Sequence, residues 1–111
     1  DRRAEHVLAR LGFVSAAFHL AGCDDVVLFR GMSFEHATVV PRPTGTFVSA
    51  TFHRPIAEAL SALGPRRRAG VLLAQRVPVA RLFMTHHETA AMNAHFQEAE
   101  AVLLADPAAL F

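Results

Sequence analysis

Apolar positions recur with a helical period at the start of the chain. Val7, Leu8, Leu11, Val14 and Phe18 share one face of a helix over Arg2 to Leu20, with Gly12 a candidate break. Asp24-Asp25 closes this segment in a turn. Val26-Val27-Leu28-Phe29 is a short β-branched and aromatic run, which predicts a buried strand. Pro41 to Gly45 predicts a loop, and Thr46 to Thr51 a second strand. Pro55 suits a helix's first turn, because its missing N–H costs nothing there. Ile56, Leu60 and Leu63 follow at helical spacing, and Gly64-Pro65 stops the helix. Val71 to Val77 and Val79 to Met84 read as strands, with Pro78 between them at a bulge or edge.

Thr85 to Ala105 admits two readings. Met92, Phe96, Ala99 and Leu103 lie on one helical face, and local propensity favours one long helix. Ala101-Val102-Leu103-Leu104 also fits a terminal strand, with Glu98, Glu100 and Val102 alternating on one side. On a strand the two glutamates point into one site; on a helix, residues two apart point away from each other. The coarse order of helix, strand, loop, strand, helix and further strands is α+β, not βαβ winding.

With 111 residues and 52% hydrophobic content, one packed domain is expected. A net charge of +1 is too small to imply nucleic-acid or membrane binding by bulk electrostatics. No apolar run reaches the roughly 18–20 residues of a membrane span. The chain begins with Asp1 in a helix already under way, so an excised or processed piece of a longer chain is expected. Cys23 is the single cysteine, which excludes an internal disulfide. Its place after Ala21-Gly22 suits a small residue near a helix end. The arginine- and alanine-rich composition fits a high-GC bacterium.

Three short motifs carry the candidate chemistry. Arg30 ends an apolar strand and precedes Gly31; a guanidinium there grips phosphate in bidentate fashion, and Gly31 lets backbone approach a ligand. Its structural alternative is a pairing with Asp24 or Glu35. Ser49 ends the next strand, with Thr51 two residues on. A hydroxyl there can fix a neighbouring carboxylate, while Thr51 can instead cap the Pro55 helix. Glu98 and Glu100 repel each other unless a positive group sits between them. His86, His87 and His95 cluster beside Glu88, but Ala91 breaks any His-Glu-x-x-His spacing, so no metal is expected. Arg66-Arg67-Arg68 reads as a solvated turn.

Together the motifs Leu28-Phe29-Arg30-Gly31, Phe47-Val48-Ser49-Ala50-Thr51 and Glu98-Ala99-Glu100 resemble the Arg-Ser-Glu class of mono-ADP-ribosyltransferase toxins, the cholera-toxin and C3-exoenzyme-like group. The likeness runs from about Leu28 to the end. It implies an ADP-ribosyltransferase-like fold: two small, mostly antiparallel sheets packed together, with flanking helices around a cleft for NAD, which is substrate and not a resident cofactor. Arg30 would anchor the NAD phosphates and nicotinamide ribose. Gly31 would adjoin the bound nucleotide. Ser49 would orient Glu100, with Thr51 supporting the pocket. Glu100 would bind the ribose 2′-hydroxyl and stabilise the oxocarbenium ion. Glu98 would activate an arginine acceptor on a target protein, which Thr85 to Gln97 would face. The middle of the hydroxyl motif is Ala50, and Ser49 follows Arg30 by only 19 residues. With no Tyr or Trp, nicotinamide stacking would fall to Phe52 or Phe83.

The resemblance further implies a bacterial effector, secreted or injected into a target cell's cytoplasm, with an immunity protein as a further partner. Two other readings stand beside it. One is an NAD glycohydrolase, or a transferase with a nucleic-acid or small-molecule acceptor, on the same scaffold. The other is a non-catalytic binding module with Arg66 to Arg68 as its contact surface and the two glutamates on an ordinary helix.

Overall fold

The structure, a computed structural model, describes residues 1–34, 45–62, 69–94 and 97–111. The expected features at Glu35, Pro41 to Thr44, Leu63, Gly64-Pro65, Arg66 to Arg68, His95 and Phe96 lie outside those residues.

Helix α1 (Arg2–Leu20) starts on Asp1, whose carboxylate accepts a 2.7 Å bond from the Arg3 backbone N–H. It runs through Gly12 without a break. It ends on Ala21 and then Gly22, whose φ of 83° suits a residue without a Cβ. Strand β1 (Asp25–Phe34) extends well beyond the apolar run that signalled it. Strand β2 (Phe47–Thr51) follows, then helix α2 (Arg54–Ser61) with Pro55 in its first turn. Strand β3 (Ala69–Pro78) ends at its proline, where a missing N–H breaks no rung. The expected Val79–Met84 strand divides into a 3₁₀ turn over Val79–Arg81 and strand β4 (Leu82–Thr85).

The long-helix reading of the C-terminal stretch fails. A short 3₁₀ turn covers Ala90–Asn93, and Glu100–Leu104 forms strand β5. Pairing decides it: every residue of β5 lies opposite one of β2, from Thr51↔Glu100 to Phe47↔Leu104. A ladder supplies those backbone groups with partners and buries Ala101 and Leu103.

The expected pair of sheets is one antiparallel five-stranded sheet, ordered β3-β1-β2-β5-β4. Among the described residues its two parts meet through a single rung, Phe29 opposite Thr51. The next rungs would set Arg30 opposite Ala50 and Gly31 opposite Ser49, but neither forms between β1 and β2. One surviving rung is enough to merge what the motifs suggested as separate sheets.

Alternation assigns the faces. Leu28, Val48, Ala50, Leu73, Val77, Ala101 and Leu103 make the core side, closed by Val14 of α1, Val79, Leu82 and the fully buried Phe111. Arg81 holds the chain's last segment there, donating at 2.6 Å to the backbone oxygens of both Leu104 and Phe111. Arg10 ties α1 across the sheet end, bonding the Phe83 carbonyl and the Glu88 carboxylate. Helix α2 covers the opposite face. Among the described residues no helix is long and apolar enough to cross a membrane.

Candidate active-site cleft

The cleft opens where β1 and β2 part. Arg30 belongs by alternation to the Leu28–Met32 side of β1, so its stem is flanked by core residues. Burial accordingly pulls its guanidinium below the usual arginine value. Among the described residues Arg30 makes no hydrogen bond or ion pair. Asp24, one suggested partner, bonds His19 instead at 2.7 Å. Glu35, the other suggested partner, lies outside the described residues; among those residues the half-buried guanidinium is left open to an anion.

Gly31 lines the same cleft, but for a reason the sequence did not show. A Cβ on Gly31 would lie 1.7 Å from the carbonyl oxygen of Ala57 in α2. Its bareness therefore serves helix-on-strand packing, as does Gly70, whose Cβ would lie 2.5 Å from the Ser61 carbonyl. Through this close approach α2 supplies Ile56 and Leu60 as the apolar wall of the cleft.

Ser49 and Glu100 sit on neighbouring strands, two residues out of direct register but on the same face of the sheet. The Ser49 hydroxyl donates to Glu100 Oε2 at 2.5 Å. A single hydroxyl thus fixes one carboxylate oxygen and leaves the other to the cleft. Thr51, 4% exposed, does two things. Its hydroxyl donates to the Glu98 carbonyl at 2.6 Å and accepts from the His53 N–H at 3.0 Å. It both holds the segment before β5 and shapes the entry to α2.

Glu98 reaches the cleft differently from the expected strand alternation, since only Glu100 is on β5. Glu98 stands between Gln97 (φ 50°) and Ala99 (φ 49°), two non-glycine residues in the left-handed region. That conformation is unusual for alanine and is held from outside. The Ala99 N–H donates to Asn93 Oδ1 at 3.0 Å, and the Ala99 carbonyl accepts from the Phe52 N–H at 3.0 Å.

Arg30, Gly31, Ser49, Thr51, Glu98 and Glu100 therefore line one cleft of about 150 Å³, together with Phe29, Ala50, Ile56 and Leu60. Comparison with models of known protein families, with curated proteins and with solved structures gives no match. What the site can do rests on its own geometry. It sets the Arg30 guanidinium, on the β1 lip, against two carboxylates on the β5 side.

Phe52 and Phe83 do not line it. Phe52 points to the core side, stacked on Phe18 (centroids 6.3 Å, 7° apart) and edge-on to His87. Phe83 is the extra residue of a bulge in β4 and packs on Phe47 at 4.8 Å. Alternation turns Phe52 away because Thr51 faces the cleft; the bulge re-aims Phe83. Among the described residues, aromatic contact in the cleft falls to Phe29. Phe18, Phe52 and His87 instead border a separate apolar hollow of about 460 Å³, where the exposed thiol of Cys23 also lies. Among the described residues no three metal-binding side chains gather.

Sequence reasoning missed Asn93, which touches the site only through a backbone N–H, and the apolar wall of Ile56 and Leu60. The wall was legible as a helix face; its position over β1 followed only from Gly31.

Proposed function

We propose that this chain is a mono-ADP-ribosyltransferase domain that transfers ADP-ribose from NAD to an arginine of a target protein, in a fold of the ADP-ribosyltransferase kind. The observation that carries the reading is the Ser49–Glu100 bond inside a cleft that also holds Glu98 and Arg30, which is unpaired among the described residues.

The charges suit the two ends of NAD. Its diphosphate is anionic and pairs with Arg30; its nicotinamide end is cationic and lies toward the carboxylates. A volume of about 150 Å³ is small beside whole-ligand pockets of roughly 300–1,000 Å³, so one end of the dinucleotide enters. Glu100, fixed on one oxygen by Ser49, accepts from the ribose 2′-hydroxyl with the other and stabilises positive charge developing on the ribose as nicotinamide leaves. Glu98 binds the acceptor guanidinium and takes its proton. A bacterial effector with a cognate inhibitor protein is the setting this chemistry suits.

Labelled NAD incubated with the protein and a cell lysate tests the reading. Label is expected on protein, and Glu100→Gln is expected to slow nicotinamide release on the order of 10³-fold with the fold retained. Undiminished release in that variant, or no release by the wild type, removes the proposal. Label on nucleic acid would keep the scaffold's chemistry and change the acceptor.

A further inference from the structure

The two left-handed residues around Glu98 call for a cause. Gln97 and Ala99 carry Cβ atoms, so each conformation is unfavourable and persists only where the surroundings impose it. Three hydrogen bonds do so. Thr51 Oγ1 donates to the Glu98 carbonyl at 2.6 Å; the Phe52 N–H donates to the Ala99 carbonyl at 3.0 Å; Asn93 Oδ1 accepts the Ala99 N–H at 3.0 Å. The first two come from the end of β2 and its following residue. The third comes from the C-terminal residue of the 3₁₀ turn over Ala90–Asn93, on the other side of the segment. Glu98 is thereby pinned by its own backbone and its neighbour's, while Glu100 is pinned by its side chain.

We infer that Asn93 and Thr51 are positioning residues that set where the Glu98 carboxylate stands and so choose a guanidinium over water as acceptor. The inference rests on the transferase reading above. In transfer, the bond from the ribose C1 atom to the nicotinamide nitrogen breaks, and its electron pair neutralises the ring. A bond from that carbon to a guanidino nitrogen forms, and the displaced proton goes to Glu98. In hydrolysis water takes the carbon and its proton goes to solvent. Glu100 serves both routes; Glu98 matters chiefly to the first. Loosening the clamp therefore moves the ratio of the routes, whereas damage to the whole cleft lowers both.

Agmatine, a free guanidino compound, is the acceptor probe. Transfer to agmatine and hydrolysis of NAD are measured in the wild type, Asn93→Leu and Asn93→Asp. Leucine removes the acceptor at similar size; aspartate keeps an oxygen for the Ala99 N–H. The transfer-to-hydrolysis ratio is expected to fall roughly 10- to 100-fold in Asn93→Leu and to stay near wild type in Asn93→Asp. A parallel loss of both rates, an unchanged ratio, or no rescue by aspartate overturns the inference. Should Asn93→Leu fail to fold, Ala99→Gly takes its place: it relieves the backbone cost and frees the segment, so the ratio is expected to drop without loss of stability. Exchange of the Ala99 amide proton separates the two levels. A wild type inert toward NAD sinks the transferase reading and the acceptor role with it. A rapidly exchanging Ala99 amide in an active wild type sinks the clamp alone.

Discussion

Ser49 shows how much one side chain can set. It is exposed and contributes little to packing, so its removal leaves the fold intact. Yet its 2.5 Å bond is the one described contact that fixes the Glu100 carboxylate. Hydrogen bonds to charged groups contribute about 1.5–3 kcal/mol. Ser49→Ala is therefore expected to lower kcat for nicotinamide release roughly 10- to 100-fold, with an unchanged melting temperature. Steady-state kinetics beside a thermal melt checks this, and an unaltered kcat would show that Glu100 needs no such partner. At this scale the sequence was informative where chemistry needs a particular side chain. Arg30, Ser49, Glu98 and Glu100 stand out by type and by their apolar flanks, although Arg30 and Ser49 lie inside β1 and β2 rather than at the expected strand ends, and Glu98 precedes β5. It was silent where a backbone atom does the holding. Nothing about Asn93 announces that its amide oxygen meets the N–H of Ala99, and alanine is a poor advertisement for a left-handed turn.

Among elements, the seating of α2 on β1 governs the cleft. The helix lies so near the strand that Gly31 has no room for a methyl group beneath the Ala57 carbonyl. Backbone cannot step aside as a side-chain end can. Gly31→Ala is expected to destabilise the fold by about 3 kcal/mol, the upper part of what overpacking costs. Chemical denaturation measures it; a loss under ~0.5 kcal/mol, the scatter of ordinary surface changes, would mean that α2 shifts freely. Element type was mostly legible. The apolar spacing of Val7, Leu11, Val14 and Phe18 marks α1, and Pro55 marks the start of α2. The terminal strand was legible only because its glutamates made sense there, since Ala101 to Leu104 fits either periodicity. The reason for Gly31 was not legible, because a glycine near a ligand and a glycine under a helix look the same in one dimension.

For the whole molecule, acid is the informative perturbation. Burial, helped by the charge of His87, holds His86 below its ordinary value of 6.5, while Glu88 and the Glu100 backbone pull weakly the other way. Its Nδ1 is buried and makes no hydrogen bond with the described residues. The unfolded chain therefore binds a proton there more readily than the folded one. The resulting stability is fully present above about pH 6.5 and is lost as pH falls from there through the lower folded value. A melting temperature that drops between pH 7 and 5 is expected, with a shallower drop in His86→Asn; identical slopes would remove His86 as a cause. The α+β class was readable from the order of elements, whereas the count of sheets was not. Whether two strands share five rungs or one is a matter of curvature, and residue periodicity carries no record of it.

That lone rung at Phe29 and Thr51 has one more consequence. Beyond it no pair of described residues joins β1 to β2, and the cleft opens in that gap. The break in the weave is thus what makes room for the cleft between its two banks.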